Sequence, residues 1–500
     1  MAMPRSAYLR RLQSWSAPRP SRRLFLAGTA ASLWAAPPAT PSVDVAIVGA
    51  GLAGLTCADQ LQAKGLTPTV YEAASRPGGR CWSLSGFFPS QVAERGGEFI
   101  DTGHKTMIAY ARRFGLPLED VNKEPGDIRY YFRGQVYPET QVVAEYRAFV
   151  DAMRDDLRQL SGEVTALSKT PADEAFDRIS LAQYLDSRDA GPLIKAVIRE
   201  AYLAEYGLEA EDQSCLNFLF FIHADRRSKF TPFGVFSDER YHVVNGNEGI
   251  VAGLAAGLQS PIQLDCRLLA ASRTAAGRIA LTFRQGSRTV TYHHDAAVLT
   301  LPFTVLRTVH LDASLALPTA KRAAIEQLGY GNNAKMMLGF NSRPWATVHQ
   351  SNGASYSDLT NHQASWETNP VNASVSRGVI TDYSGGDRGA GLRPSQVQAE
   401  AQSFLTDFDR VYPGAMGAAS RNQRGELLVH LEHWPSNPLS RGSYTCYRPG
   451  QFTTIAGYEA TPVNNLFFAG EHTDSFYSWQ GFMEGACLSG IAAASAILRK

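Results

Sequence analysis

Three glycines, Gly49, Gly51 and Gly54, follow an apolar run over residues 43–48, and an acid, Glu72, stands 18 residues beyond the last of them. Residue types in this order suit a phosphate-bearing dinucleotide. Gly49 permits a tight turn, Gly51 lets the backbone come close to a pyrophosphate, and Gly54 lets a following helix pack on the strand. A carboxylate placed like Glu72 accepts the two hydroxyls of a ribose. Arg76-Pro-Gly-Gly-Arg80 comes directly after, with two glycines that admit close approach and an arginine able to grip phosphate through two nitrogens. Near the other end of the chain, Phe467-Phe-Ala-Gly-Glu471 again delivers a glycine and an acid from an apolar run. Between them, Lys335 interrupts the apolar stretch Ala334-Lys-Met-Met-Leu338. An ammonium in such a strand is either paired or at work.

These residues need a scaffold. Residues 43–48, apolar apart from Asp44, have the character of a buried parallel strand. A helix over 52–64 would carry Leu52, Leu55, Ala58 and Leu61 on one face, stop at Gly65 and aim its first N–H groups at phosphate. Thr69-Val-Tyr-Glu72 reads as a second strand. Further strands are expected near 261–268, 278–285, 296–301 and 334–340, and helices over 141–163, 395–411 and 484–498. Five hundred residues exceed one ordinary core. The expected fold is α/β (α+β) with two interleaved domains. A Rossmann-like dinucleotide domain would be assembled from 43–100, 241–302 and 440–500. A mixed sheet-and-helix substrate domain would come from 101–240, mostly helical, and 303–439.

The glycine run, Glu72, the Arg76–Arg80 loop and, most specifically, Phe468-Ala-Gly-Glu471 through Ser478-Trp-Gln-Gly-Phe482-Met-Glu-Gly-Ala486 resemble the flavin-dependent amine oxidases. That family includes monoamine, polyamine and L-amino-acid oxidases, and the resemblance covers nearly all of the chain after residue 43. It implies an FAD held by Gly49, Gly51, Gly54, Glu72, Arg80, Gly96, Gly97, Leu268, Glu471 and Phe482. Leu268 would contact adenine through its backbone, Glu471 would meet the ribityl or phosphate region, and residues 480–483 would pass the isoalloxazine ring. Tyr444 and Phe482 match the aromatic walls that flank the amine, with Trp479 at the same end. Lys335 matches the lysine that holds a water near flavin N5. The implied reaction oxidises a primary amine or L-amino acid with O2 to a carbonyl product, ammonia and H2O2. An L-amino-acid monooxygenase of the tryptophan 2-monooxygenase type shares the scaffold. A carotenoid-type desaturase and a flavin-binding chaperone or sensor are the further alternatives.

The departures from the family pattern narrow the expectation. Monoamine oxidases attach flavin through a cysteine just before the first aromatic wall; here Ser443 holds that place and Cys446 is displaced by three, so FAD is expected to be non-covalent. Snake-venom-type L-amino-acid oxidases carry an arginine for the substrate carboxylate where Gly96-Gly97-Glu98-Phe99 has phenylalanine beside an acid. Glu98 would instead meet a cationic substrate or cap local backbone, and Arg240 or Arg441 would have to supply any carboxylate contact.

The first forty residues carry six arginines and no acid, with Ser21-Arg22-Arg23-Leu24-Phe25-Leu26 followed by an apolar stretch over 24–36. This is the pattern of a twin-arginine signal peptide, too short to span a bilayer. It predicts the export machinery as a partner and a periplasmic or extracellular location. Loss of those six arginines would take the formal charge from +1 to −5. No basic recognition helix points to nucleic acid, and no Cys/His cluster points to a metal. His293-His294 is expected to be solvated on a strand edge. The six cysteines lack any CxxC and give no pairing, with Cys57 expected to be buried on the first helix. Oligomeric state is left open, a homodimer included.

Overall fold

A computed structural model describes residues 43–123, 125–224, 237–369 and 376–499. The expected signal peptide lies outside the described residues. Val45–Val48 is buried on both faces within a four-stranded parallel sheet ordered Leu466–Phe468, Ala296–Leu299, Val45–Val48, Thr69–Tyr71. The two glycine-bearing ends of the chain meet through an intermediary. Ala296–Leu299 lies between them, pairing Val45 with Ala296 and Val298 with Phe467. The helix Leu52–Gln62 follows the first strand, and Met483–Leu498 crosses it. A Cβ on Gly490 would lie 2.3 Å from the Ala53 carbonyl oxygen, so glycine sets how closely those helices approach.

A second sheet pairs Cys266–Arg273, Ile279–Gln285 and Arg288–His294 antiparallel, with His310–Leu311 at its edge. Its first strand starts at Cys266, later than the expected 261, because Pro261 lacks an N–H and Asp265 takes a left-handed turn at φ 56. His294 corrects the expectation of a solvated pair. His293 is exposed, but the pleat turns His294 inward, 3.1 Å from the Tyr71 hydroxyl and 2.9 Å from Asp44.

The largest sheet has seven strands in the order Val429–His433, Ala334–Phe340, Gly378–Ser384, His362–Glu367, Ser351–Leu359, Asp127–Phe132, Gln135–Tyr137. Two of these come from the segment read as mostly helical. The aromatic run Tyr130-Tyr131-Phe132 favours a strand, and Tyr130 pairs in register with Tyr356. The helix Val397–Val411 closes one face of this sheet, placing Phe404 and Phe408 beside Phe340, Trp345 and His362. A helical lobe contains Glu139–Leu157, Pro192–Tyr206 and Cys215–Ile222. The first of these stops before the expected 163, at a turn where Ser161 donates its hydroxyl to Asp173. Pro192 opens the second, and Gly207, at φ 70, ends it. Among the described residues no helix is long and apolar enough to cross a membrane.

Candidate active site

A cavity of about 1000 Å³ runs between the parallel sheet and the seven-stranded sheet. At one end it is built from backbone. Gly49 turns at φ 109, and a Cβ on Gly54 would lie 1.9 Å from the Gly49 carbonyl oxygen, so strand and helix close on each other only through glycine. Glu72 leaves the second strand with both oxygens fixed: one accepts the Ala50 N–H at 2.7 Å, the other the Ala74 N–H at 2.8 Å. Burial raises its pKa, opposed by those N–H groups and by Arg76. Arg267 and Leu268 line the wall beside it.

Arg80 and Glu471, both expected to hold the cofactor, form an ion pair on the cavity wall. Arg80 Nη1 donates to Glu471 Oε1 at 2.8 Å and to the Ser443 carbonyl at 2.5 Å, while Glu471 Oε2 accepts the Thr445 hydroxyl at 3.0 Å. The pair ties the loop after the second strand to both C-terminal segments, because each alone would leave a charge in a largely dry wall.

The opposite end is built from side chains. Lys335 and Glu98, separate candidates in the sequence, are buried partners. The ammonium lies 2.5 Å from Glu98 Oε2 and donates to the Gly96 carbonyl at 3.1 Å. Glu98 Oε1 accepts the Trp366 indole N–H at 3.0 Å. Glu98 therefore neither caps backbone nor waits as a free anion, since a lysine in an all-buried strand requires a counter-charge. Gly97 makes room beside it, where a Cβ would lie 2.8 Å from Met483 Sδ.

Tyr444, Phe482 and Trp479 all line this end, together with Gly96 and Gly97. The Tyr444 hydroxyl lies 3.0 Å from that of Tyr383 and donates to the Glu205 carbonyl. Behind the other wall, the His104 ring sits 4.4 Å from Trp479 and 5.4 Å from Phe482. Burial pushes its pKa down to about 3, and Nδ1 accepts the Asp101 N–H at 3.0 Å. Arg240 and Arg441 do not reach the cavity. Arg240 is committed to Asp120 at 2.8 and 3.0 Å, and Arg441 is exposed.

Sequence reasoning missed Glu205, Glu239, Tyr383 and Trp366, all of them lining residues. Glu205 left one trace, a lone acid among apolar neighbours in Leu203-Ala-Glu-Tyr206. The others lie on strands or loops whose facing is set only by the fold.

The flavin containing amine oxidoreductase family matches residues 52–498. The L-amino-acid oxidase of Siganus canaliculatus is 24% identical over 475 residues, covering 91% of this chain and 85% of that protein. Among solved structures, cyclohexylamine oxidase from Brevibacterium oxydans superposes with a TM-score of 0.76 at 20% identity, covering 92% of this chain and 99% of that one. Putrescine oxidase with putrescine bound gives a TM-score of 0.75 at 18% identity, over 92% and 99% of the two chains. With a glycine cradle and an aromatic chamber on one cavity, and a family match over most of its length, this chain belongs to the flavin-containing amine oxidoreductases.

Proposed function

We propose that the protein is an FAD-dependent amine oxidase that deaminates a primary amine or L-amino acid, yielding a carbonyl product, ammonia and H2O2. One observation carries the reading: a single cavity has the glycine cradle at one end and Lys335, Tyr444 and Phe482 at the other. The cradle fits a dinucleotide. A Cβ on Gly51 would meet only the Gly78 carbonyl, at 4.0 Å, which leaves that wall open to a pyrophosphate. Glu72, already held by two N–H groups, keeps lone pairs for ribose hydroxyls. Non-covalent binding is supported by Ser443, whose hydroxyl is taken by Asn333 at 2.6 Å, and by the burial of Cys446 beside Asn217.

A bound flavin would supply the two-electron acceptor for the C–H bond next to nitrogen and pass those electrons to O2. The chain's own residues do the rest. Tyr444, Phe482 and Trp479 make an apolar enclosure that disfavours ammonium and keeps the reacting amine neutral. Its two hydroxyl contacts hold the Tyr444 ring in place. Lys335 spends two N–H groups on Glu98 and Gly96, leaving a third for a water.

A peroxide-coupled screen of primary amines against all L-amino acids, with products analysed by mass, tests this reading. Peroxide with a carbonyl product and ammonia is expected. An amide product would reassign the chain to the monooxygenases, and silence across the panel would contradict it. The same reading includes export by the twin-arginine route, supported by Arg22-Arg23 and the apolar stretch after them. Replacing both arginines by lysine should leave the protein in the cytoplasm on cell fractionation; unchanged export would refute that part.

A further inference from the structure

We infer that the substrate end of this cavity selects an amine bearing a second positive charge and no carboxylate, that is, a diamine or polyamine. The inference rests on the oxidase reading above and adds its substrate class. Glu205, near the end of the helix Pro192–Tyr206, and Glu239, just before the strand Tyr241–Val243, both line the cavity alongside Tyr356, Tyr383 and Tyr444. Neither carboxylate makes a hydrogen bond or ion pair with a described residue.

The neighbouring charges are already committed. Glu98 is held by Lys335 and Trp366, and Asp101 accepts the Glu239 N–H at 2.9 Å. That bond fixes Glu239 at φ 41, a region uncommon for a residue with a side chain. Lys335 is the one lysine on the described cavity wall, and Arg76, Arg80 and Arg267 flank the dinucleotide end. Among the described residues, then, Lys335, already paired with Glu98, alone opposes the Glu239 charge, and no cation at this end of the wall is free to receive a substrate carboxylate.

The Glu205 backbone also meets the hydroxyl edge of the aromatic chamber. The Tyr444 hydroxyl, whose ring forms one wall around the reacting amine, donates to the Glu205 backbone carbonyl. Burial, and then the charges of Glu205, Asp101 and Glu98, hold the Glu239 carboxyl well above its usual range. Burial and Asp101 push Glu205 up to about 7. An ammonium beside them supplies the missing counter-charge and favours their ionised forms. The chamber thus treats two nitrogens differently: the aromatic walls keep the reacting one neutral, and the acids hold the distant one charged.

Three ligands of one chain length separate the terms. Pentylamine has one nitrogen, cadaverine adds the second, and L-lysine adds a carboxylate to cadaverine. Dissociation constants of the flavin-loaded protein are measured without oxygen by calorimetry, alongside aerobic turnover, for wild type, Glu205→Gln, Glu239→Gln and the double variant. Cadaverine should bind wild type about tenfold or more tighter than pentylamine, and tighter than L-lysine, with the cadaverine advantage shrinking in each single variant and vanishing in the double. Equal affinity for the two amines in wild type, persistence of the preference in the double variant, or tighter binding of L-lysine would overturn the inference. Preferential binding of cadaverine with no turnover would defeat the oxidase reading and leave the selection of a dication standing.

Discussion

The two ends of the cavity are made of different material. The dinucleotide end is backbone: Gly49, Gly51 and Gly54, and a carboxylate fixed by N–H groups at a strand end. The substrate end is side chains from separate segments: Glu98, Glu205, Glu239, Lys335, Trp366, Tyr383, Tyr444 and Phe482. A backbone site works only with particular residues at fixed local spacing, because the peptide itself must reach the ligand. A side-chain site can recruit any segment that the fold brings near. The first should therefore fail all at once when altered, and the second in separable parts.

The largest effect is expected at Gly54. A valine there would drive its Cβ into the Gly49 carbonyl, 1.9 Å away, a backbone group that cannot yield as a side chain could, with the Ile47 side chain 3.2 Å off. Gly54→Val should be isolated without flavin and without activity. Normal flavin absorbance in that variant would break the contrast between the two ends.

Next comes the buried ion pair. Lys335→Met strands Glu98 and should cost about 3–5 kcal/mol in urea unfolding. Adding Glu98→Gln should recover much of that loss, while reoxidation of the flavin by O2 stays slow in both variants. Stability that fails to recover in the double variant would mean that the two residues are not coupled.

Glu205 offers a smaller effect with a defined sign. Its folded pKa is raised from 4.5 to about 7, mainly by burial. Between those values the folded protein retains a proton that the unfolded chain has lost. The stabilisation is complete below the unfolded value and is lost as pH rises through the folded one. Relative to Glu205→Gln, the wild type without substrate should lose on the order of 3 kcal/mol of stability across that window. A parallel pH profile for the two proteins would contradict the burial of this acid.

Tyr444→Phe sharpens the comparison further. It removes one hydroxyl from the pair with Tyr383 and the Glu205 carbonyl but keeps the ring, so flavin binding should be unchanged while kcat/KM falls about tenfold. The smallest effect is expected from reducing agent. All six cysteines are free and buried, so a reductant should leave Tm where it was. A clear drop would mean that a disulfide forms in the protein.

The same contrast explains what the sequence made legible. The cradle strand, Glu72, the strand Ala334–Phe340 and the helix Met483–Leu498 each announce themselves in fewer than twenty consecutive residues. Lys335 was visible as a charge in an apolar run. Its partner was singled out too, but not as its partner, because 237 residues separate Lys335 from Glu98 and only sheet packing joins them. The Arg80–Glu471 pair, 391 residues apart, stayed hidden for the same reason. His294 was misplaced because one residue of pleat decides between solvent and core. Glu239 and Tyr383 carry no local signature at all. Polar side chains on loops and strand faces acquire a role only once the cavity exists.

The central claim is that one cavity brings an amine to a flavin beside Lys335, Tyr444 and Phe482. Mixing the flavin-loaded protein with cadaverine and with single-charge amines in the absence of oxygen tests it most directly. The account predicts that the flavin bleaches within a single turnover, faster with cadaverine than with pentylamine at limiting concentration, and that its colour returns with peroxide when air is admitted. A flavin that stays oxidised with every amine offered would contradict it.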